Sequence, residues 1–193
     1  KRRNDEAGLF DLVRSRIGKV AEACGAELST CSSNLRKIKL TSGFWTNRFY
    51  GAAVLAMGHA VAPGVGYLKL AGTYDFPNLV PIGSSPIVDV LFSSQRLQVV
   101  HEGLRFSRLD KLRDLASWDL AIDNLRVCAH EGRSTLNCGT CEKCVRTRLG
   151  LLAVGREHSA AFGNHHVAPV DLDVIELTTD YHVACYREIA AAL

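Results

Sequence analysis

The chain has 193 residues, 47% of them hydrophobic, and a formal net charge of +3. That length buries a core and forms one domain, while the charge is too mild to argue for nucleic acid. No apolar run approaches the roughly 20 residues that cross a bilayer.

Residues Asp5 to Cys24 predict an amphipathic helix, with Leu9, Leu12, Val13, Ile17, Val20, Ala21 and Cys24 at three- and four-residue steps and Gly25 as its stop. Glu27 to Cys31 alternates in polarity and reads as a strand, left through a Ser32-Ser33-Asn34 loop. Phe44 to Ala62 predicts a second, buried helix rich in small residues and stopped by Pro63-Gly64, with Trp45, Phe49 and Tyr50 assigned to the core. Val65 to Ala71 is nearly continuously apolar, the pattern of a strand in a sheet covered on both faces. Gly72 to Pro86 is dense in Gly, Pro, Ser and Asn and reads as a long loop, a length that is often functional. A strand at Leu97–His101 follows, and a helix begins at Ser107 with Asp110 as capping partner. Leu125 to Cys128 predicts a short strand, Glu142 to Val154 a helix ending at Gly155, and Asp180 to Leu193 a last helix after a looser tail. The division expected is 1–155 and a tail, 156–193. This order predicts an α/β fold, a mostly parallel sheet with helices on both faces, whose ligands bind at the carboxyl ends of the strands. The Gly72–Pro86 loop leaves such an end and is the expected place of substrate contact.

The most specific motif is Cys128-x9-Cys138-x2-Cys141-x2-Cys144. Four thiolates close a tetrahedral shell around one zinc ion, and a full shell marks a structural site. Gly139 allows a tight Cys-x-x-Cys turn, and the following helix puts Cys141 and Cys144 one turn apart near its N-terminus, where thiolates are favoured. Disulfides are the weaker reading, because the chain has seven cysteines and no secretory signal. An iron–sulfur cluster is the closer rival, yet Val145-Arg146-Thr147-Arg148 follows where a ferredoxin run expects another cysteine and a proline. Zinc is the ion the donor set favours, and thiolates with free cysteines point to a reducing cytosol.

The cysteine run from Arg126-Val-Cys128 through Cys144-Val-Arg146-Thr-Arg148, with the helix Ser107 to Ala116 before it, resembles the C-terminal half of a PP-loop ATP pyrophosphatase (HUP-like) domain. Within that superfamily it is most similar to the 7-cyano-7-deazaguanine synthase branch and related adenine nucleotide α-hydrolase-like proteins. Asn34-Leu35-Arg36 and Gly83-Ser84-Ser85-Pro86 add weaker likeness, and the resemblance spans about Asp5 to Gly155. It implies an ATP-dependent adenylating ligase: a carboxylate or similar group is activated with release of pyrophosphate, and a nitrogen or sulfur nucleophile displaces AMP.

Two departures qualify what is implied. The Ser-Gly-Gly-x-Asp-Ser loop that cradles pyrophosphate in such enzymes is missing. Ser42-Gly43-Phe44 lacks its second glycine, and Pro86 stands where an N–H donor is wanted. The first strands, with that loop, are expected upstream of Lys1, so ATP and magnesium are expected only for the extended protein. The other account is a non-catalytic zinc-stabilised binding or regulatory module. Ala129, where that branch carries an aromatic residue, puts the deazapurine substrate in doubt.

For phosphate or substrate binding the resemblance points to Arg105, Arg108 and Lys111 as cations, Tyr74 as a stacking ring, and Asp75, Ser84 and Ser85 in the long loop. Each has a plainer reading, a solvated basic face for the cations and turn formation for Asp75 and Asp89, the two acids considered for magnesium. His101 reads as a hydrogen-bonded core histidine, and His165-His166 carries no assigned role. Lys143, Arg146 and Arg148 beside the cysteines suggest an RNA-binding knuckle, against which the mild net charge argues. The partners expected are a small-molecule substrate, the N-terminal half of the same domain and a second copy in a homodimer.

Overall fold

The computed structural model describes residues 4–38, 41–61, 64, 66–128, 135–163 and 168–193. The chain divides into two compact units, one of residues 29–107 and the other of residues 1–28 with 108–193. Among the described residues no helix is long and apolar enough to cross a membrane.

Helix α1 (Asn4–Ala23) opens the discontinuous unit close to its expected bounds. The segment that follows forms no strand. Alternating polarity at Glu27–Cys31 is not enough, because a strand needs a partner for its backbone and none of the described residues pairs there.

In the continuous unit, α2 (Ser42–Phe44) passes through a π turn at Trp45–Phe49 into α3 (Tyr50–Val61), so the expected helix is present but not regular. The π turn has a backbone cause. Tyr50 N–H donates to Trp45, which releases the Thr46 carbonyl and the Gly51 N–H from the helical ladder. Both are taken by one residue of the long loop: Gly83 N–H donates to Thr46 O (2.9 Å), and Gly51 N–H donates to Gly83 O (2.8 Å). Only glycines permit this approach. A Cβ at Gly51 would lie 2.3 Å from Gly83 O and 2.9 Å from Asp89 Oδ1. Gly51→Ala is therefore expected to destabilise the protein by about 3 kcal/mol or more, read as a loss of melting temperature. Gly8→Ala, whose Cβ meets nothing within 4 Å in helix α1, is the control and is expected to stabilise slightly.

Strands β1 (Tyr67–Ala71) and β2 (Gln98–Glu102) pair in parallel, from Tyr67 opposite Gln98 to Ala71 opposite Glu102. Leu68 packs on α3 beside Gly58, and Val99 and His101 share its face of the sheet. Tyr67 (61% exposed) and Lys69 occupy the other face. The expectation of a sheet covered on both faces is corrected by this alternation: only the side against α3 is buried. Between the strands lie the predicted loop, a 3-10 turn at Phe76–Asn78, helix α4 (Pro86–Asp89) and a second 3-10 turn at Val90–Phe92. The architecture is thus mixed α/β with a two-stranded parallel sheet.

The discontinuous unit continues with α5 (Arg108–Leu115), α6 (Asp119–Asp123), α7 (Glu142–Ala153) and α8 (Asp180–Ala192), with 3-10 turns at Ala160–Phe162 and Pro169–Val174. Helix α8 packs on α5 and α7, and α1 packs on α6. Its core joins Leu112, Ile122, Leu151 and Phe162 to three of the motif cysteines.

Candidate metal centre

The four cysteines arrive from three local structures. Cys128 lies on the irregular segment after α6, Cys138 enters a turn, Cys141 caps α7 and Cys144 lies in its first turn. The turn closes through Gly139 at φ 78°, a left-handed conformation that suits glycine. All four Sγ atoms lie within 4.8 Å of one another, and the nearest pairs are 3.5, 3.8 and 3.9 Å apart. Ligands about 2.3 Å from a central ion at tetrahedral angles stand about 3.8 Å apart, so the cluster matches the shell of a single zinc-sized ion. An iron–sulfur cluster interposes several atoms and needs its thiolates spread wider.

Backbone donors prepare the sulfurs for charge. Cys141 N–H donates to Cys138 Sγ (3.2 Å), and the Thr140 hydroxyl lies 3.7 Å from the same atom. Burial pushes the Cys138 thiol up, but these donors together with the Thr140 N–H outweigh it and hold its pKa at about 6. Burial raises Cys141 and, further, Cys144, which also bonds to Cys141 Sγ. Two thiols raised by burial beside one that ionises readily need a cation before they deprotonate together. The cluster can hold a metal ion such as zinc.

The scaffold behind the sulfurs was not anticipated from sequence. Buried Asn137 makes four hydrogen bonds. Its Oδ1 accepts from Val127 N–H (2.9 Å) and Cys128 N–H (3.1 Å), and its Nδ2 donates to Leu125 O (2.8 Å) and Ala161 O (2.9 Å). One amide therefore ties the first ligand's segment to the second ligand and to the turn after α7. This also corrects the strand expected at Leu125–Cys128: the segment forms no strand, and the Val127 and Cys128 N–H groups and the Leu125 carbonyl are met by a side chain instead of a neighbouring strand. Arg148, 6% exposed, reaches back along α7 to donate to Gly139 O (2.8 Å), with Asp171 3.6 Å away. Four thiolates around a dication would keep two net negative charges, of which this guanidinium braced on the Cys-x-x-Cys turn would offset one at most. Arg146 is buried too (5% exposed), 3.3 Å from Glu142 and over the Tyr181 ring. The basic face imagined beside the cysteines is corrected accordingly, since of its three residues only Lys143 is exposed.

The other candidates fall in both units. In the continuous unit, Phe76 N–H donates to Leu104 O (2.9 Å), which ties the loop of Tyr74 and Asp75 to the loop of exposed Arg105, both leaving the carboxyl ends of the strands. Asp75 accepts twice from Asn78 Nδ2, at 2.8 and 3.0 Å, as a turn former. Ser84 donates to Asp89 Oδ2 (2.6 Å), and Ser85 Oγ caps α4 by accepting from Ile87 N–H. Asp89 is fully buried and also bonds His101 Nε2 (2.7 Å), so His101 is a hydrogen-bonded core histidine. In the discontinuous unit, Arg108 Nε donates to the Tyr181 hydroxyl (3.4 Å), and Lys111 is half-buried on α5. His165, His166 and Ala129 lie outside the described residues.

Comparison with protein-family models, with curated proteins and with solved structures finds no match for this chain.

Proposed function

We propose that residues 1–193 belong to an ATP-dependent adenylating enzyme of the PP-loop type, in which the four cysteines hold a structural zinc. The observation that carries the reading is the convergence of Cys128, Cys138, Cys141 and Cys144, the motif on which the resemblance to the zinc-bearing 7-cyano-7-deazaguanine synthase branch rests. The joined loops at the carboxyl ends of two parallel strands support it, because ligands of parallel α/β sheets bind there. In this reading the sheet is larger and mostly parallel in the whole protein, and its phosphate loop lies upstream of Lys1. Tyr74 and Arg105, on the joined loops of the continuous unit, contact the small-molecule substrate; Arg108 and Lys111, in the other unit, remain the phosphate cations that the resemblance implies. Ser84 and Ser85 shape the loop rather than bind phosphate, because their hydroxyls already serve Asp89 and α4. The zinc carries no step of the reaction. Four zinc thiolates and three further cysteines, none of them in a disulfide, suit a reducing cytosol.

The test is nucleotide binding by calorimetry and pyrophosphate release. The present chain is expected to bind ATP weakly or not at all, and the chain extended upstream to bind it with magnesium. Arg105→Ala is expected to lower turnover of the extended protein tenfold or more without changing its melting temperature, because Arg105 is exposed. An extended protein that binds no ATP leaves the zinc-stabilised binding module as the account.

A further inference from the structure

A cavity of about 420 Å³ lies within the discontinuous unit, between helix α1, the turn that carries Cys138 and the 3-10 turn at Ala160–Phe162. It is partly open to solvent, and its size falls in the range of about 300–1,000 Å³ typical of small-molecule sites. Leu12, Leu136, Ala161 and Phe162 give it an apolar wall, the last three of them buried. The polar side chains on that wall are already engaged, with one exception. Asn137 uses its whole amide on four backbone groups, and the Thr135 hydroxyl donates to Asn137 O (3.1 Å). Cys138 belongs to the cysteine cluster. The exception is Arg16, half-buried on α1, whose guanidinium makes one long bond, from Nη1 to Asn124 Oδ1 at 3.5 Å. Among the described residues no acidic side chain lines the cavity, and Arg16 is the one cation that does.

We infer that this cavity binds a small organic monocarboxylate with an apolar body, its charged end held by Arg16. A guanidinium presents parallel N–H donors that match the two oxygens of a carboxylate. An uncharged ligand that displaced the water around Arg16 would leave the cation desolvated without a partner. A phosphate monoester would bring a second negative charge to a wall with no second cation. The body of the ligand is covered by Leu12, Leu136 and Phe162, which rewards hydrocarbon and offers nothing to further polar groups. The loops at the carboxyl ends of the strands contribute no residue to this wall, so the inference stands apart from the adenylating reaction.

Titration of the protein with phenylacetate and with hexanoate, followed by amide chemical shifts, tests the inference, with phenylacetamide and phenyl phosphate as the comparisons. At least one of the two carboxylates is expected to saturate a single site and to move the amides of Leu12, Leu136, Ala161 and Gly163. It is expected to bind about tenfold or more tightly than its comparisons, the worth of a charge-assisted contact. Arg16→Gln is expected to weaken that binding by about tenfold or more at an unchanged melting temperature, because the side chain has one long bond to lose. Arg16→Lys, which keeps the charge without the fork, is expected to weaken it less. No saturation by either carboxylate at millimolar concentration overturns the inference. So does equal binding of phenylacetamide, tighter binding of phenyl phosphate, or undiminished binding to Arg16→Gln. Shifts confined to the loops after β1 and β2 place the carboxylate in the other unit and overturn it as well.

Discussion

Cys141→Ser is expected to lower the melting temperature by 10 °C or more and to release about one zinc ion per chain. Metal binding by structural zinc sites is worth on the order of 10 kcal/mol in small domains that fold with their ion. Part of that is replaceable here, because Leu112, Ile122, Leu151 and Phe162 pack around the sulfurs and form a core of their own. A net loss of several kcal/mol remains, at about 2–4 °C for each in a protein of this size. Cys24→Ser and Cys31→Ser change exposed thiols and are expected to stay within about 0.5 kcal/mol of the parent. A chelator is expected to lower the parent's melting temperature to that of Cys141→Ser and to leave the variant where it is. Elemental analysis of protein purified without added metal is the companion measurement. Equal melting with and without chelator, or iron accompanied by acid-labile sulfide, would refute the assignment.

Asn137→Ala is expected to cost about 3–5 kcal/mol, more than any truncation of an exposed side chain. It strands two N–H groups, of Val127 and Cys128, and two carbonyls, of Leu125 and Ala161, where little water reaches. Each buried group left unpaired costs about 1–3 kcal/mol, partly recovered by relaxation. Asn137→Asp separates packing from hydrogen bonding. It keeps the shape and the acceptor but turns a carboxylate oxygen toward two carbonyl oxygens, so it is expected to be at least as damaging as alanine. Denaturant unfolding reads the energy, and the rate of metal loss to a chelator reads the coupling to the cysteines. An Asn137→Asp protein within about 1 kcal/mol of the parent would show that the amide does not bridge these four groups.

The parts of this molecule legible in sequence are those whose causes are local. Helix α1 follows from the spacing of Leu9, Leu12 and Val13, and the metal cluster from three cysteines within seven residues and a fourth ten residues before them. The illegible parts depend on partners remote in sequence. Nothing in Leu136-Asn137-Cys138 announces that its amide will reach Ala161. Arg146 and Arg148 carry the formal charge of a surface, yet the geometry of α7 turns them inward to Glu142 and Gly139. The π turn at Trp45–Phe49 exists because Gly83, more than thirty residues on, takes two backbone groups from the helix. The Glu27–Cys31 alternation misled for the same reason in reverse: a local pattern had no distant partner to complete it.

Because one unit is interrupted in sequence by the other, its parts are made at different times. Helix α1 leaves the ribosome well before its contacts on α6 exist, since Arg16 and Asn124, which meet at 3.5 Å, are 108 residues apart. At about 5–20 residues per second, that is a wait of roughly 5–20 s, during which residues 29–107 can complete their own unit. The apolar stripe of α1 stays without its final cover throughout, a stage at which a chaperone has something to hold. Cys138, Cys141 and Cys144 emerge later still, so the cluster that can hold a metal ion is complete only after both units have been started. A nascent chain halted before Arg108 holds the continuous unit and an orphaned helix, with no cysteine yet made that belongs to the metal cluster.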